Sequence, residues 1–293
     1  MENKIDITVI IPMYNSEKYI EKAITSIIHQ EEHGLNYEII IIDDFSNDNS
    51  CEVVKKINND KIKLIELKKN CGTANARNTG IRIAKGEWIQ FFDSDDRIGN
   101  DLYKKFELSK KPDINCYLFS LIVEYYDYNL KQKFTVIKDK RAFGHHNVIW
   151  NKFIKRDICI EFKKDYYFED PCFIVDMMIE KDLKLSLIND AYYIYNRKNK
   201  NSKMANFNKK EYFKMYSYIY SQIDKCDDFT KMYILEMFVA LLFIRNIPFL
   251  MSLYIATKTL LRLYKYLPRV YLNQNRHCVE SIKIDDGDLL LKG

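Results

Sequence analysis

Apolar residues in the first third of the chain fall into two alternating patterns. Short, nearly continuous apolar runs cover Ile5 to Ile11, Tyr37 to Ile42, Ile62 to Leu67 and the stretch from Trp88 into Asp93. Between the first two, Glu17 to about Gln30 repeats Tyr19, Ile20, Ala23, Ile24, Ile27 and Ile28 on one helical face, with Ser16 placed to cap it and Glu17 in its first turn. Ser50 to Asn58 reads as a second, shorter helix, and Thr73 to Ala84 as a third, set off by Gly72 and stopped by Gly86. Strands and helices in this order predict a parallel sheet covered on both faces. Its crossovers are right-handed, and ligands bind beyond the carboxyl ends of its strands.

Three polar clusters fall at such ends: Tyr14-Asn15, Asp43-Asp44, and Asp93-Ser94-Asp95-Asp96. The topology brings them to one edge. The last cluster is the most informative, because carboxylates packed this closely repel unless a positive charge sits among them. Carboxylate oxygens suit hard cations such as Mg²⁺ or Mn²⁺, which take one or two protein acids and complete their shell with water and substrate phosphates. Each cluster alone is equally explained as turn chemistry; three at equivalent positions of one sheet share a purpose more economically.

The motifs Ile-Ile-Pro-Met-Tyr-Asn at 10 to 15, Asp43-Asp44-Phe45-Ser46, Gly72 with Ala76-Arg77-Asn78-Thr79-Gly80, Lys85-Gly86-Glu87 and Phe92-Asp93-Ser94-Asp95-Asp96 occur in one order along the chain. In that order and spacing the chain resembles the family 2 glycosyltransferases, strongly over residues 5 to 105. Trp150-Asn151-Lys152 and Phe168-Glu169-Asp170-Pro171-Cys172-Phe173 look like two later motifs of bacterial members. Phe45 departs from the pattern, which usually has Gly there.

The resemblance implies a GT-A fold, a Rossmann-like, mostly parallel α/β sheet flanked by helices, and a metal-dependent, inverting transfer of sugar from a nucleotide diphosphate donor. Tyr14 would lie near the uracil of a UDP-sugar, with Pro12 fixing the strand exit and Asn15 beside them. Asp44, with Asp43, would accept hydrogen bonds from the base edge, and Arg77 would reach the donor's phosphates or sugar. Asp93, Asp95 and Asp96 would divide ribose contact and coordination of Mn²⁺ or Mg²⁺; Asp95 is favoured as metal ligand, with Asp96 the alternative. Asp170 would be the base that deprotonates the acceptor. Its local sequence also suits an N-cap, with Pro171 opening a helix to Glu180, and capping alone would explain the residue. Trp150, Lys152 and Glu169 are the acceptor-side candidates.

The second half of the chain mixes patterns. Asn115 to Val123 reads as a strand with a hairpin partner near Phe134 to Ile137, and Ala191 to Tyr195 as another. His145 and His146 lack a third ligand and make a poor metal site, while Arg197, Lys198 and Lys200 form either a loop over the diphosphate or a solvated charge run. A catalytic domain over residues 1–206, with donor half 1–105 and acceptor half 106–206, is followed by a helical region, 207–293. There Phe229 to Arg245 and Ile247 to Leu267 are greasy, but Glu236, Arg245 and Lys258 interrupt them before they could span a bilayer. Lys258, Arg262, Lys265 and Arg269 share one helical face, which suits either an anionic membrane surface or a packed helix with its basic edge in water.

Composition sets bounds on partners. The 293 residues are 47% hydrophobic and 30% charged, as in a globular protein, and the net charge of +5 is too small to suggest nucleic acid without a motif. Seven scattered cysteines with no Cys-X-X-Cys argue against a disulfide framework or a zinc ribbon and fit a reducing cytosol. Met1 to Asp6 is polar, unlike a signal peptide. The expected setting is cytoplasmic, at the inner face of the plasma membrane if the acceptor is a lipid-linked saccharide rather than a free one. Two rival readings are a nucleotidyltransferase-like protein, which would carry a Gly-rich basic loop where Pro12 to Asn15 stands, and an inactive scaffold that keeps the fold.

Overall fold

The computed structural model describes residues 4–30, 34–124, 130–134, 143–144, 147–196, 209–240, 257, 259, 263 and 279–283. Strands β1 (Ile7–Met13), β2 (Tyr37–Asp43), β3 (Ile62–Glu66) and β4 (Trp88–Phe91) lie parallel in the spatial order β3-β2-β1-β4. Helices α1 (Ile20–Ile28), α2 (Ser50–Lys56) and α3 (Thr73–Ile83) make the crossovers. Apart from Thr8, strand β1 is apolar because both its faces are covered: Ile7, Val9 and Ile11 pack with α1 residues Ile20, Ala23, Ile24 and Ile27, whereas Ile10 faces a second core around Phe91. Strand β3, at the edge of this parallel set, has no fully buried residue: Ile62, Leu64 and Ile65 are partly buried and Lys63 and Glu66 exposed.

Register decides where the functional loops emerge. Met13 pairs with Asp43 and the Asp44 N–H donates to Met13 O at 2.8 Å, so β1 and β2 end level. The shorter β4 ends beside Ile10, with the Phe92 N–H bonded to Ile10 O. Tyr14, Asp44 and Asp93 therefore leave the sheet at one edge.

Helix α1 starts later than its sequence predicts. Tyr19, not Ser16, precedes it, and the Ser16 hydroxyl pairs instead with the Ser94 hydroxyl at 2.6 Å, across 78 positions of sequence. Gly86, between α3 and β4, is set by crowding. A Cβ there would sit 2.4 Å from the Thr8 backbone nitrogen, and its own N–H donates to Thr8 Oγ1. Gly86→Ala should therefore cost about 1–3 kcal/mol as the two segments are forced apart, measurable as a lower midpoint in urea.

After β5 (Arg97–Ile98) and α4 (Leu102–Ser109) the sheet becomes mixed. Strand β6 (Cys116–Glu124) pairs antiparallel with β8 (Lys152–Lys155) through its first half and with β7 (Leu130–Phe134) through its second. Strand β8 runs antiparallel beside β4, which joins the two halves into one sheet. Strand β9 (Leu185–Asn196) runs parallel to β6, with a register shift where Asp190 takes a φ of 55°, and then pairs with β5. That bend returns Tyr193 and Asn196 to the acids that follow β4.

Helix α5 (Glu169–Glu180) covers the opposite face, with α6 (Lys209–Gln222) and α7 (Asp228–Ala240) packed on it. Tyr212, Met215, Ile219, Ile234 and Phe238 share one core with Phe173 and Ile174. The region after residue 207 is not wholly helical, as the sequence suggested: β10 (Val279–Lys283) adds to the sheet antiparallel to β7. Its short Val-Glu-Ser-Ile-Lys alternation needs β7 for its hydrogen bonds, so a helical reading of the neighbouring sequence swamps it. Among the described residues no helix is long and apolar enough to cross a membrane. The basic face from Lys258 to Arg269, the Arg197-Lys198-Lys200 loop and the His145-His146 pair lie outside the described residues.

Candidate active site

Loops after β1 and β2 lock together through left-handed residues. Asn15 has φ 48° and Phe45 φ 68°. The Asn15 N–H donates to Ser46 Oγ at 2.9 Å, and the Asn47 N–H returns to Asn15 Oδ1 at 2.8 Å. Tyr14 stands on this edge half exposed, at 48%. Pro12 is the penultimate residue of β1, paired with Ile42.

The acids at the end of β2, Asp43 and Asp44, are both buried rather than standing open to a base edge as the resemblance implied. Asp44 is buried, with Oδ1 and Oδ2 accepting the N–H groups of Cys71 and Gly72 at 2.7 and 2.8 Å. Burial pushes the Asp44 carboxyl above its usual value, and those two amides pull against it. Asp43 is buried too, and its Oδ2 accepts the Ser46 N–H at 3.1 Å. Both acids thus brace the loops that frame the site.

Arg77 also differs from expectation. It lies on α3, only 3% exposed, and its guanidinium is held by acids rather than presented to phosphates. Nη1 reaches Glu169 Oε1 at 3.0 Å and Asp170 Oδ1 at 2.6 Å, and Nη2 reaches Asp93 Oδ1 at 2.9 Å. The Phe162 ring lies 5.4 Å from the guanidinium carbon. Burial alone would lower the guanidinium's proton affinity, but Asp170, Asp93 and Glu169 together raise it. One permanent positive charge thus ties the end of β4 to the start of α5.

Asp170 is not the helix cap that its Asp-Pro context suggests. Helix α5 begins at Glu169 after Phe168, with no side-chain cap, and Asp170 lies inside the first turn. Its carboxylate is committed to Arg77, 93 positions earlier, because a charge-assisted bond to a buried guanidinium outweighs an amide cap. The side chain keeps 19% exposure and that of Asp93 29%, whereas Glu169 is sealed at 5%. Glu169, expected on the acceptor side, instead backs Arg77.

The acids after β4 divide into open and closed. Asp95 is partly exposed and Asp96 is 1% exposed. Asp96 Oδ1 accepts the Asn196 N–H at 2.8 Å, while Oδ2 is buried without a hydrogen-bond partner of good geometry, close to the Tyr193 hydroxyl. Burial, then Asp95 and Asp93, hold the Asp96 carboxyl well above the usual carboxylate range. An orphaned carboxylate oxygen beside a partly exposed acid fits a hard divalent cation. Among the described residues no group of three or more His, Cys, Asp or Glu could hold a metal, so ligand oxygens would have to complete its shell.

Tyr193 is a site residue that sequence reasoning missed. Its hydroxyl accepts the Asp93 N–H at 3.0 Å, and it is fully buried. Nothing in the run Ala191 to Tyr195 distinguishes it from an ordinary core aromatic. The same ring explains a correction: Trp150 stacks on Tyr193 at 4.1 Å and near Tyr195 at 5.5 Å, only 4% exposed, so it is core rather than an acceptor platform.

Lys152 is likewise turned inward, fully buried, donating to Asn151 Oδ1 and Val148 O. Burial pulls its ammonium down to about 7. Unfolded, the same lysine holds its proton to about pH 10. Between those values the unfolded chain binds the extra proton, so stability rises with pH across the window and is lost as pH falls through it. The melting temperature of the wild type should climb relative to that of Lys152→Met from pH 7 to about pH 10.

Both the sequence and the fold of the chain are similar to those of known proteins. The profile of Glycosyl transferase family 2 matches residues 8–183. Minor teichoic acid biosynthesis protein GgaB of Bacillus subtilis is 31% identical over 206 residues, 65% of this chain and 23% of that protein. TarS of Staphylococcus aureus, a poly(ribitol-phosphate) beta-N-acetylglucosaminyltransferase, is 36% identical over 99 residues, 33% of this chain and 17% of that protein. The chain spans less than half the length of these curated relatives. The structure of TarS 1-349 with UDP-GlcNAc matches with a TM-score of 0.61 at 20% identity, covering 89% of this chain and 73% of that one. Mannosyltransferase PcManGT of Pyrobaculum calidifontis, in complex with GDP-Man and Mn²⁺, matches with a TM-score of 0.52 at 16% identity, covering 94% and 75%. The curled, mostly parallel sheet is the GT-A arrangement of these neighbours. With the family profile spanning residues 8–183 of 293, the chain belongs to glycosyl transferase family 2.

Proposed function

We propose that this chain is an inverting glycosyltransferase that moves a sugar from a nucleotide diphosphate, a UDP-sugar, to a saccharide or lipid-linked saccharide in bacterial surface polysaccharide synthesis. The observation that carries the reading is Arg77, whose one guanidinium joins the donor-side Asp93 to Asp170. Donor loops and acceptor base are thereby held as one unit. The teichoic acid relative and the UDP-GlcNAc complex of TarS support the choice of pathway and donor.

In this reading Tyr14 and the β1–β2 loops receive the base, Pro12 and Asn15 set the loop, and Asp93 meets the ribose. Asp95, with Asp96, would hold Mn²⁺ or Mg²⁺, which when bound supplies positive charge against the departing diphosphate. Asp170 takes the proton from the acceptor hydroxyl as its oxygen bonds to the anomeric carbon, and the bond to the diphosphate breaks on the opposite side. The nucleoside diphosphate leaves with the electron pair. No enzyme-bound sugar forms, so a single displacement inverts the anomeric centre. Arg77 fixes the Asp170 carboxylate by one oxygen, and the side chain's remaining exposure lets a hydroxyl approach.

A panel of nucleotide sugars with Mn²⁺, scored by melting temperature and then by turnover on saccharide acceptors, tests this. UDP-sugars should raise the melting temperature, since binding stabilises the native state. No shift with any nucleotide sugar would remove the reading.

A further inference from the structure

Among the described residues, Tyr14 and Phe45 are two of only a few large apolar side chains exposed to water, at 48% and 49%. They occupy neighbouring loops at the carboxyl ends of β1 and β2, where Met13 pairs with Asp43. About half of each side chain is open to water, and neither ring has an aromatic ring partner among the described residues. Phe45 also holds φ at 68°. A left-handed conformation is costly for a bulky side chain and free for glycine, and the Asn15–Ser46 and Asn47–Asn15 bonds immediately after Phe45 tie that turn to the neighbouring loop. Folding gains nothing visible from an exposed phenylalanine in that conformation. Strain kept at a ligand-facing loop points to use rather than to packing.

We propose that Phe45 contacts the donor's nucleobase, its ring and that of Tyr14 flanking the flat heterocycle. The proposal rests on the donor-site reading above and adds to it a residue that sets nucleotide affinity. An aromatic pair accepts any base by its π-face, which makes the contact one of affinity, while polar groups of the loops choose among bases. Phe45 touches no reacting atom, so its loss should raise the donor KM and leave kcat unchanged.

The test measures UDP and GDP binding by calorimetry with Mn²⁺, together with melting temperature, for the wild type, Phe45→Gly and Phe45→Leu. Phe45→Gly should weaken binding of whichever nucleotide the wild type binds by about tenfold, the scale of one lost stacking contact, without lowering the melting temperature. Phe45→Leu keeps the strain and an apolar side chain but loses the ring; it should also bind more weakly. Phe45→Gly binding within about twofold of the wild type overturns the proposal and leaves the donor site standing. A wild type that binds neither nucleotide overturns the donor-site reading, and this inference with it.

Discussion

Asp170→Asn is expected to slow sugar transfer by at least about a hundredfold, the lower end of what a general base supplies, while leaving donor affinity nearly unchanged. The amide is isosteric, so it still fits beside Arg77, but it cannot take the acceptor's proton. Removing the base deletes an interaction made only in the transition state, so kcat should carry the loss. A single-turnover assay on donor and acceptor, beside calorimetric binding of UDP, separates the two effects. Should the variant keep more than about a tenth of the wild-type rate, Asp170 is not the base.

The second large effect concerns Arg77. Arg77→Met fills similar space but leaves Asp93, Glu169 and Asp170 facing one another without their common positive charge. Breaking a buried ion pair on one side costs about 3–5 kcal/mol, because the remaining charge is stranded. Two of these acids keep partial exposure, which places the cost toward the lower end of that range. The variant should melt well below the wild type, and its transfer rate should fall even at temperatures where it is folded, because Asp170 loses its anchor. Arg77→Lys should recover part of the stability and little of the rate, since an ammonium cannot reach three carboxylates through a planar fork. A folded Arg77→Met protein with wild-type turnover would show that the bridge serves neither purpose.

Much of the architecture was legible because local and global preferences agree along the first third of the chain. The apolar run from Ile5 to Ile11 predicts β1, which spans Ile7–Met13, and the pattern from Thr73 to Ala84 predicts α3, which spans Thr73–Ile83. Period and punctuation suffice where a strand is covered on both faces and a helix stops shortly before a glycine such as Gly86. The sheet edge that gathers Tyr14, Asp44 and Asp93 follows from those boundaries alone.

What could not be read is the choice each polar group makes among distant partners. Ser16 and Asp170 both sit in cap-like sequence, and each bonds elsewhere, to Ser94 and to Arg77. Asp44 resembles an open acid in sequence, yet it is spent on two loop amides. Trp150 shows the same limit for aromatics: only the bend in β9 at Asp190 brings Tyr193 beneath it. Such pairings span from 27 to 93 positions, beyond any periodic signal.

The most direct measurement is the melting temperature of the purified chain with UDP, recorded with Mn²⁺ and with chelator, for the wild type and for the Asp95→Ala, Asp96→Ala double variant. If the acids after β4 hold a cation that grips the donor's diphosphate, UDP raises the wild-type melting temperature with Mn²⁺, does so weakly or not at all with chelator, and fails to do so in the double variant. An equal UDP shift in all of these conditions, or none in any, would contradict the account.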